Sequence, residues 1–224
     1  MKAEIARAGF ARCPETLGRP ALAELAALFG DLRADRPGSR IDPVMEERTQ
    51  AIAMATRYAS ALLGDGARPV RALLLDKSVG ANWSLGWHQD RVIEVAAKVD
   101  VPGFGPYTVK QGRLHVAPPI EWVERLLTVR IHLDPVDSDN GPLVVAPGSH
   151  RLGFVAEREI DAVVTRCGEA ICLADAGTMW FYATPILHCS ARSTGDRHRR
   201  VLQLDFAVGD LPGGLVWALD VTTA

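Results

Sequence analysis

Two apolar segments near the start of the chain predict α-helices. Residues 20–29 begin with proline, which suits the first turn of a helix, and Gly30 follows where helices commonly end. Residues 42–63 begin with Asp-Pro, a pair that suits the N-cap and the first helical position, and Gly64 follows them. We therefore expect a helical N-terminal part over about residues 1–66.

From residue 70 onward the pattern changes to that of β-strands. In residues 126–134, Thr128, Arg130 and His132 fall on one face of a strand and aliphatic residues fall on the other. A polar face of this kind borders either solvent or a polar cavity. Further strands are predicted at residues 70–76, 92–96, 143–146, 170–173, 178–182, 186–188 and 200–208. Short strands separated by turns, without alternating helices, predict a sandwich or a barrel.

Proline and glycine mark the irregular parts of the chain. Residues 101–119 contain four prolines and three glycines, so we expect a long loop there and no regular structure. A short turn of helix is predicted at residues 121–125. Residues 139–142, Asp-Asn-Gly-Pro, have the composition of a tight turn between two strands.

Composition narrows the class of protein. The chain has 224 residues, of which 48% are hydrophobic, enough for the core of one domain. The net charge of −2 shows no basic excess for nucleic acid, and no apolar segment approaches the roughly 18 residues of a membrane span. Four cysteines without a Cys-x-x-Cys pair, and an N-terminus without a signal-peptide pattern, predict reduced thiols and a cytoplasmic location. No feature predicts an oligomeric state.

One short motif has the residue types of a metal site. His88 and Asp90 are two positions apart, so on a β-strand their side chains point to the same face. One further histidine would complete the two-histidine, one-carboxylate triad of non-haem Fe(II) oxygenases. His188, His150 and His198 are the candidates for that third ligand. A His-x-Asp pair alone is weak support, because solvated turns also contain it.

A larger set of residues resembles a known family. Residues 87–90 (Trp-His-Gln-Asp), 133–150 and 187–190 (Leu-His-Cys-Ser), followed by Arg199, are similar to the phytanoyl-CoA dioxygenase family. The similarity extends over about residues 70–208. Its central block, which contains Asn-Gly-Pro-Leu and Pro-Gly-Ser-His, is far more specific than the His-x-Asp pair.

The resemblance implies both a fold and an activity. The fold would be an all-β core, a double-stranded β-helix (the jelly roll of cupin-like proteins), with flanking N-terminal α-helices. We expect a single dioxygenase domain over residues 1–224, with the jelly-roll core at about 70–208. The expected enzyme uses Fe(II), 2-oxoglutarate and O2 to hydroxylate a C–H bond of a small molecule, and it releases succinate and CO2.

The resemblance also implies roles for particular residues. His88, Asp90 and His188 would be the metal ligands and therefore the catalytic centre. Arg199 would hold the distal carboxylate of 2-oxoglutarate, because a guanidinium can form two parallel hydrogen bonds with a carboxylate and lysine cannot. Ser190, two residues after His188, would contact the same carboxylate.

Several other residues are predicted to line the site. Lys77 and Asn82 are expected to contact the cosubstrate, and Trp83, Arg130 and His132 are expected to contact the substrate. A basic lining predicts a small anionic or zwitterionic substrate; the residues that would provide it are Arg130, His132, Lys110, Arg113 and His115.

Two other functions compete with the oxygenase. One is a metal-binding jelly roll that does not use 2-oxoglutarate, and the other is a non-catalytic binding module that keeps the fold. Arg199 argues against the first, because it would anchor the cosubstrate. The complete triad argues against the second, because a site without catalytic use would be expected to lose a ligand.

Overall fold

Antiparallel β-strands form most of the structure. The computed structural model describes residues 1–30, 38–41 and 49–221. In these residues the strands are Phe10–Arg12 (β1), Gly38–Ile41 (β2), Arg68–Lys77 (β3), Leu85–His88 (β4), Ile93–Glu94 (β5), Tyr107–Lys110 (β6), Arg113–Val116 (β7), Leu127–His132 (β8), Leu143–Val145 (β9), Ala170–Cys172 (β10), Met179–Ala183 (β11), His188–Ser190 (β12) and Arg199–Ala207 (β13).

The helices lie mostly before the strands or between them. They are Lys2–Ala8 (α1), Arg19–Leu28 (α2), Gln50–Leu63 (α3), Ile120–Val123 (α4) and Ile160–Cys167 (α5). None of the helices in the described residues is both long enough and apolar enough to cross a membrane. Helix α3 begins later than predicted, because the side chain of Thr49 caps it by accepting a hydrogen bond from the Ile52 amide. Residues 42–48, where the sequence predicted its start, lie outside the described residues.

Two antiparallel sheets face each other across a polar space. The larger has the strand order β1-β11-β8-β13-β3-β2, and the smaller has the order β10-β9-β12-β4. Ser190 on β12 of the smaller sheet accepts hydrogen bonds from Lys77 and Arg199 on the larger one. This arrangement confirms the predicted jelly-roll core with flanking N-terminal helices, although the sheets do not close into a barrel.

The larger sheet separates a hydrophobic core from the polar space. Neighbouring residues on a strand point to opposite faces. On one face, Ile131 and Leu202 pack with Leu25 of α2 and Ile52 of α3, and none of the four is more than 1% exposed. The opposite face of β8 carries the polar residues that the sequence predicted, and both faces of β8 are buried. The apolar face therefore anchors the strands that position the polar one.

One prediction about the chain is wrong. The segment 101–119, predicted as a long loop, contains the hairpin β6–β7, which pairs with β5 in a third sheet. The prolines lie outside both strands, and Gln111 and Gly112, both at positive φ, form the turn between them. The hairpin therefore avoids the residues that would interrupt its hydrogen bonds.

Strand β4 also differs from the prediction. It ends at His88, so Asp90 lies in the segment that follows and not on the strand itself. Strand β12 begins at His188, where the predicted strand 186–188 ends. These shifts place both histidines at strand ends, where the smaller sheet meets the polar space.

Candidate metal centre and cosubstrate site

Three potential metal ligands converge between the two sheets. His88 and His188 are direct partners in the pairing of β4 with β12, and their ring centroids are 4.2 Å apart. Asp90 follows two residues after His88. One ligand atom from each of the three side chains lies within 4.8 Å of the other two. Two imidazoles and one carboxylate at this spacing match the donor set of the Fe(II) facial triad.

Backbone carbonyls fix the orientation of both imidazole rings. The Nδ1 atom of His88 lies 2.8 Å from the Gly86 carbonyl oxygen, and Nδ1 of His188 lies 3.0 Å from that of Ile186. Because a carbonyl oxygen only accepts hydrogen bonds, Nδ1 carries a proton in each ring, and the neutral form of each ring has its lone pair on Nε2. This hydrogen bond is the usual support of a metal-binding histidine. Burial and the neighbouring His88 lower the pKa of His188 to about 3, which keeps its ring neutral at pH 7.

Arg71 holds Asp90 in place and keeps it ionised. Its Nη2 atom donates to Oδ2 of Asp90 at 3.1 Å, and its Nε lies 2.6 Å from Oδ2 of Asp205. Burial opposes the ionisation of Asp90, but the positive charge of Arg71 outweighs it and lowers the pKa to about 2. Asp90 is therefore a carboxylate at neutral pH, as metal binding requires.

A second cluster lies at the other end of the polar space. Lys77 on β3 and Arg199 on β13 are direct cross-strand partners, and both donate to the Oγ atom of Ser190 at 3.0 Å. Arg199 also donates to the Gly141 carbonyl, and Lys77 to that of Ala191. Among the described residues, neither cation has a carboxylate within 4.0 Å, and the Nε atom of Arg199 has no hydrogen-bond partner.

Burial and neighbouring cations destabilise the charges of Lys77 and Arg199. Burial and the charge of Arg199 lower the pKa of Lys77 to about 7. Burial and the charge of Arg130 lower the pKa of Arg199 to about 9, so Arg199 stays charged at neutral pH. A bound carboxylate would relieve this repulsion, because an opposite charge nearby favours the charged form. The cluster therefore has the composition of a carboxylate site.

The potential metal ligands and part of the cationic cluster line one cavity of about 210 Å³. The three potential ligands, Ser190 and Arg199 all contribute to its wall. A small molecule with a metal-chelating group at one end and a carboxylate at the other could therefore contact both clusters at once. 2-Oxoglutarate has these two groups, so the residues present fit both the metal and the cosubstrate.

Of the other residues that were predicted to contact the cosubstrate or the substrate, some line the cavity and others do not. Trp83 and Arg130 line the cavity, and Nζ of Lys77 lies 5.1 Å from the ring centroid of Trp83. His132 is buried beside them, and neither of its ring nitrogens has a hydrogen-bond partner. Asn82 lies apart from the cavity wall, because its amide binds the backbone of Ser193 at 2.8 and 3.0 Å.

Of the remaining basic residues that were predicted to line the site, one lies in the cavity wall and two lie elsewhere. Lys110, in the β6–β7 hairpin, lines the cavity. Arg113 and His115 surround the buried carboxylate of Glu94, at 3.3 and 3.6 Å, and Arg40 approaches it to 3.5 Å. These contacts connect the hairpin to the edge of the larger sheet and take Arg113 and His115 away from the cavity wall.

The two competing histidines have other contacts. His198 lies 2.9 Å from the Asp76 carboxylate at the surface. His150 packs against Gly9, where an added Cβ would come within 2.5 Å of its Nδ1. In the part of the chain that the structure describes, His88, Asp90 and His188 are the one group of three His, Cys, Asp or Glu side chains that converges in this way.

Arg71 and Asp205 belong to the site although the sequence analysis did not single them out. They are direct cross-strand partners on β3 and β13, and both are more than nine-tenths buried. A signal was present, since each is a charged residue inside an apolar strand. Charged residues are almost never fully buried unless they are paired.

Comparison with solved structures shows the same fold. EctD from S. alaskensis with bound Fe has a TM-score of 0.69 at 21% identity, with 92% of this chain and 75% of that chain covered. AviO1 from Streptomyces viridochromogenes Tue57 has a TM-score of 0.65 at 20% identity, covering 94% and 95%. SnoN, a non-haem alpha-ketoglutarate-dependent epimerase from nogalamycin biosynthesis, has a TM-score of 0.66 at 18% identity, covering 95% and 88%. The comparison with curated proteins gave no match.

The family is shown by the sequence itself. The family model of phytanoyl-CoA dioxygenase (PhyH) matches residues 5–201, which is most of the chain. The match includes both histidines and the aspartate of the metal centre, together with Arg199 and Ser190. The chain therefore belongs to the phytanoyl-CoA dioxygenase family, and it is an Fe(II)- and 2-oxoglutarate-dependent oxygenase.

Proposed function

We propose that His88, Asp90 and His188 are the ligands of the catalytic Fe(II). The observation that carries this assignment is the convergence of three ligand atoms within 4.8 Å of one another. The hydrogen bonds at Nδ1 leave Nε2 of both rings for the metal, and the carboxylate of Asp90 is ionised. One face of the metal would be left open for the cosubstrate and O2.

The distal carboxylate of 2-oxoglutarate would be bound by Arg199, Ser190 and Lys77. Support comes from two buried cations without a carboxylate partner among the described residues, both directed at the Ser190 hydroxyl. A charge-assisted pair in this buried site would be stronger than a neutral hydrogen bond. The cosubstrate would thereby be held with its keto-acid end toward the metal ligands.

The bound metal and cosubstrate supply the oxidising chemistry, in which O2 hydroxylates a C–H bond while 2-oxoglutarate is converted to succinate and CO2. The residues of the chain orient these groups. Arg71 keeps Asp90 ionised, and the Gly86 and Ile186 carbonyls orient the two imidazole rings.

The substrate would lie in a second cavity, a groove of about 630 Å³ beside the metal centre. His88 lines both cavities, so a molecule in the groove lies next to the proposed metal. The groove wall carries one basic residue, Arg91, and two acidic residues, Glu157 and Asp161. Charges of both signs suit a zwitterionic small molecule, which is one of the two substrate classes that the sequence predicted. An anionic substrate stays the alternative prediction.

We also propose a cytoplasmic location, because the cysteines form no disulfide bond with one another. All four, Cys13, Cys167, Cys172 and Cys189, are free thiols. Free thiols are typical of a reducing compartment. Labelling of these thiols in protein isolated from intact cells, without prior reduction, would test the location.

The test of the proposed function is oxidation of 2-oxoglutarate without added substrate. Protein loaded with Fe(II) should slowly form succinate in the presence of O2, and His188→Ala should abolish this activity. His150→Ala is the matched control, because His150 lies outside the triad, and it should keep the activity. Succinate formation by His188→Ala equal to that of the parent would contradict the assignment.

A further inference from the structure

Arg130 is a buried cation that forms no ion pair among the described residues. It is 8% exposed and lies in the wall of the cavity that contains the three proposed metal ligands. Its Nε atom donates to Oε1 of Gln203 at 3.0 Å, and its guanidinium carbon lies 5.9 Å from the ring centroid of Tyr182. Among the described residues, no carboxylate lies within 4.0 Å of Arg130. A buried charge of this kind is costly unless it is paired.

The contacts of Arg130 also fix its orientation. Gln203 is its direct cross-strand partner and binds the Nε atom, which leaves both terminal nitrogens of the guanidinium for the cavity. Among the described residues, those two nitrogens bind no hydrogen-bond acceptor. The guanidinium is therefore held ready for a ligand, and a planar fork of two N–H groups suits a carboxylate.

The register of the sheet places Arg130 toward the metal end of the cavity. Gln203 is two residues from Asp205, whose partner Arg71 binds Asp90, and four residues from Arg199. At about 3.3 Å per residue, these separations are about 7 Å and about 13 Å along β13. Along β13, Arg130 is thus closer to the Arg71–Asp205 pair, which supports Asp90, than to Arg199, which is proposed to bind the distal carboxylate.

The size of the cavity indicates which anion it holds. Its volume of about 210 Å³ is below the range of about 300–1,000 Å³ that is typical of ligand pockets. One molecule of the size of 2-oxoglutarate fills such a space. The anion that meets Arg130 therefore belongs to the cosubstrate, which carries a second carboxylate next to its keto group.

We propose that Arg130 binds the carboxylate of 2-oxoglutarate that adjoins the keto group, so that the chain holds both ends of the cosubstrate. The inference rests on the proposed function, in which Arg199 binds the distal carboxylate. Arg130 would set the position of the keto-acid end at the metal, and Gln203 would set the position of Arg130. The buried Arg199 and Arg130 of the cavity wall, and the buried Lys77 beside Arg199, form no ion pair among the described residues, and each would then have an anionic partner.

The test compares two ligands that differ at one end. 2-Oxoglutarate has both carboxylates, whereas 2-oxobutyrate keeps the keto-acid end and lacks the distal carboxylate. Binding of each to the anaerobic Fe(II) protein is measured for the parent, Arg130→Gln and Arg199→Gln. Removing a hydrogen bond to a charged group should weaken binding about 10- to 100-fold. Arg130→Gln should weaken both ligands by a similar factor, and Arg199→Gln should weaken 2-oxoglutarate alone.

The outcomes separate this inference from the proposed function. If the parent protein binds iron but neither ligand, the proposed function itself fails. If the parent binds both ligands and Arg130→Gln binds each of them as tightly as the parent does, the inference is overturned. Arg130 would then be a candidate for contact with the substrate. Loss of affinity for 2-oxoglutarate alone in Arg130→Gln would overturn it too, because Arg130 would then act at the distal end.

A second variant keeps the test valid if Arg130→Gln does not fold. Arg130→Lys keeps the charge but loses the bond to Gln203 and the planar fork. It should bind both ligands more weakly than the parent, again by a similar factor, while its affinity for Fe(II) alone stays unchanged. Unequal factors for the two ligands would contradict the inference.

Discussion

The guanidinium of Arg71 lies 3.1 Å from Oδ2 of Asp90, the one carboxylate in the proposed metal triad. The same guanidinium pairs at 2.6 Å with Asp205 on the neighbouring strand. One arginine thus connects the proposed metal centre to strands β3 and β13 of the larger sheet. Since the side chains of Arg71 and Asp205 are 7% and 4% exposed, the pair is screened little by solvent.

Replacement of Arg71 should therefore affect both stability and metal binding. Arg71→Leu leaves the buried Asp205 without its ionic partner, which should cost about 3–5 kcal/mol of unfolding free energy. It should also weaken Fe(II) binding about 10- to 100-fold, because Asp90 loses the group that orients it. Urea unfolding of the metal-free protein and an Fe(II) titration measure the two effects.

The control for Arg71 is an exposed ion pair on α3. Arg57 lies 2.7 Å from Glu15, and both side chains are about half exposed, at 59% and 47%. Arg57→Leu should therefore leave the unfolding free energy almost unchanged and Fe(II) binding unaltered, because an exposed ion pair contributes little. Equal losses in the two variants would argue against a special role for Arg71.

Lys77 should make cosubstrate binding depend on pH. Burial and Arg199 lower its pKa to about 7, so it loses its proton as the pH rises above that value. A bound carboxylate favours the ammonium, so binding takes up a proton above pH 7 and none well below it. The affinity for 2-oxoglutarate should therefore be constant below about pH 7 and should fall above it, by at most about tenfold per pH unit.

Lys77→Met provides the comparison for this pH dependence. Without the titrating ammonium, its affinity for 2-oxoglutarate should be lower and nearly independent of pH between about pH 7 and 9. Anaerobic binding titrations of the Fe(II) protein at several pH values measure both profiles. A fall of the same steepness in Lys77→Met would assign the titration to another group.

Gly141 should be necessary for the cosubstrate site. Its carbonyl accepts hydrogen bonds from Arg199 and Ser190, and its φ is +59°. A Cβ there would lie 2.5 Å from the Ala191 carbonyl oxygen and 2.9 Å from Nζ of Lys77. Gly141→Ala should therefore weaken 2-oxoglutarate binding at least about tenfold, in line with the loss of one hydrogen bond to a charged group, while Fe(II) binding persists.

Gly168 separates the clash at Gly141 from simple backbone strain. Its φ is +73°, and a Cβ there would meet no atom within 4 Å. Gly168→Ala should cost about 1–3 kcal/mol of backbone strain and leave cosubstrate affinity unchanged. If both alanine variants bind 2-oxoglutarate as well as the parent, the contacts of Gly141 do not matter for binding.

Local patterns in the sequence were sufficient to predict the polar face of β8 and the candidate metal ligands. The alternation in residues 126–134 predicted that Arg130 and His132 share a polar face, because residues two apart on a strand point the same way. His88 and His188 came from motifs whose order is shared within the family. Both predictions depend on neighbours in the chain or on a resemblance, and neither needs the three-dimensional pairing.

What the sequence did not predict depends on pairing between distant segments. Arg71 supports Asp90 only because β3 lies beside β13, and no local pattern gives that register. The hairpin β6–β7 was not predicted because its strands have only four residues each and the segment around them is rich in proline, which is typical of loops. Its ionic contacts through Glu94 involve Arg40 from another sheet, so they also depend on the complete fold.

The most direct test of the account is an anaerobic titration of the metal-free protein with Fe(II) and 2-oxoglutarate, followed by the visible charge-transfer band of an iron-bound keto acid. We predict that the parent protein and His150→Ala develop the band and that His188→Ala does not. Binding of iron without a band in the parent protein, or a band of full intensity in His188→Ala, would contradict the proposed metal and cosubstrate site.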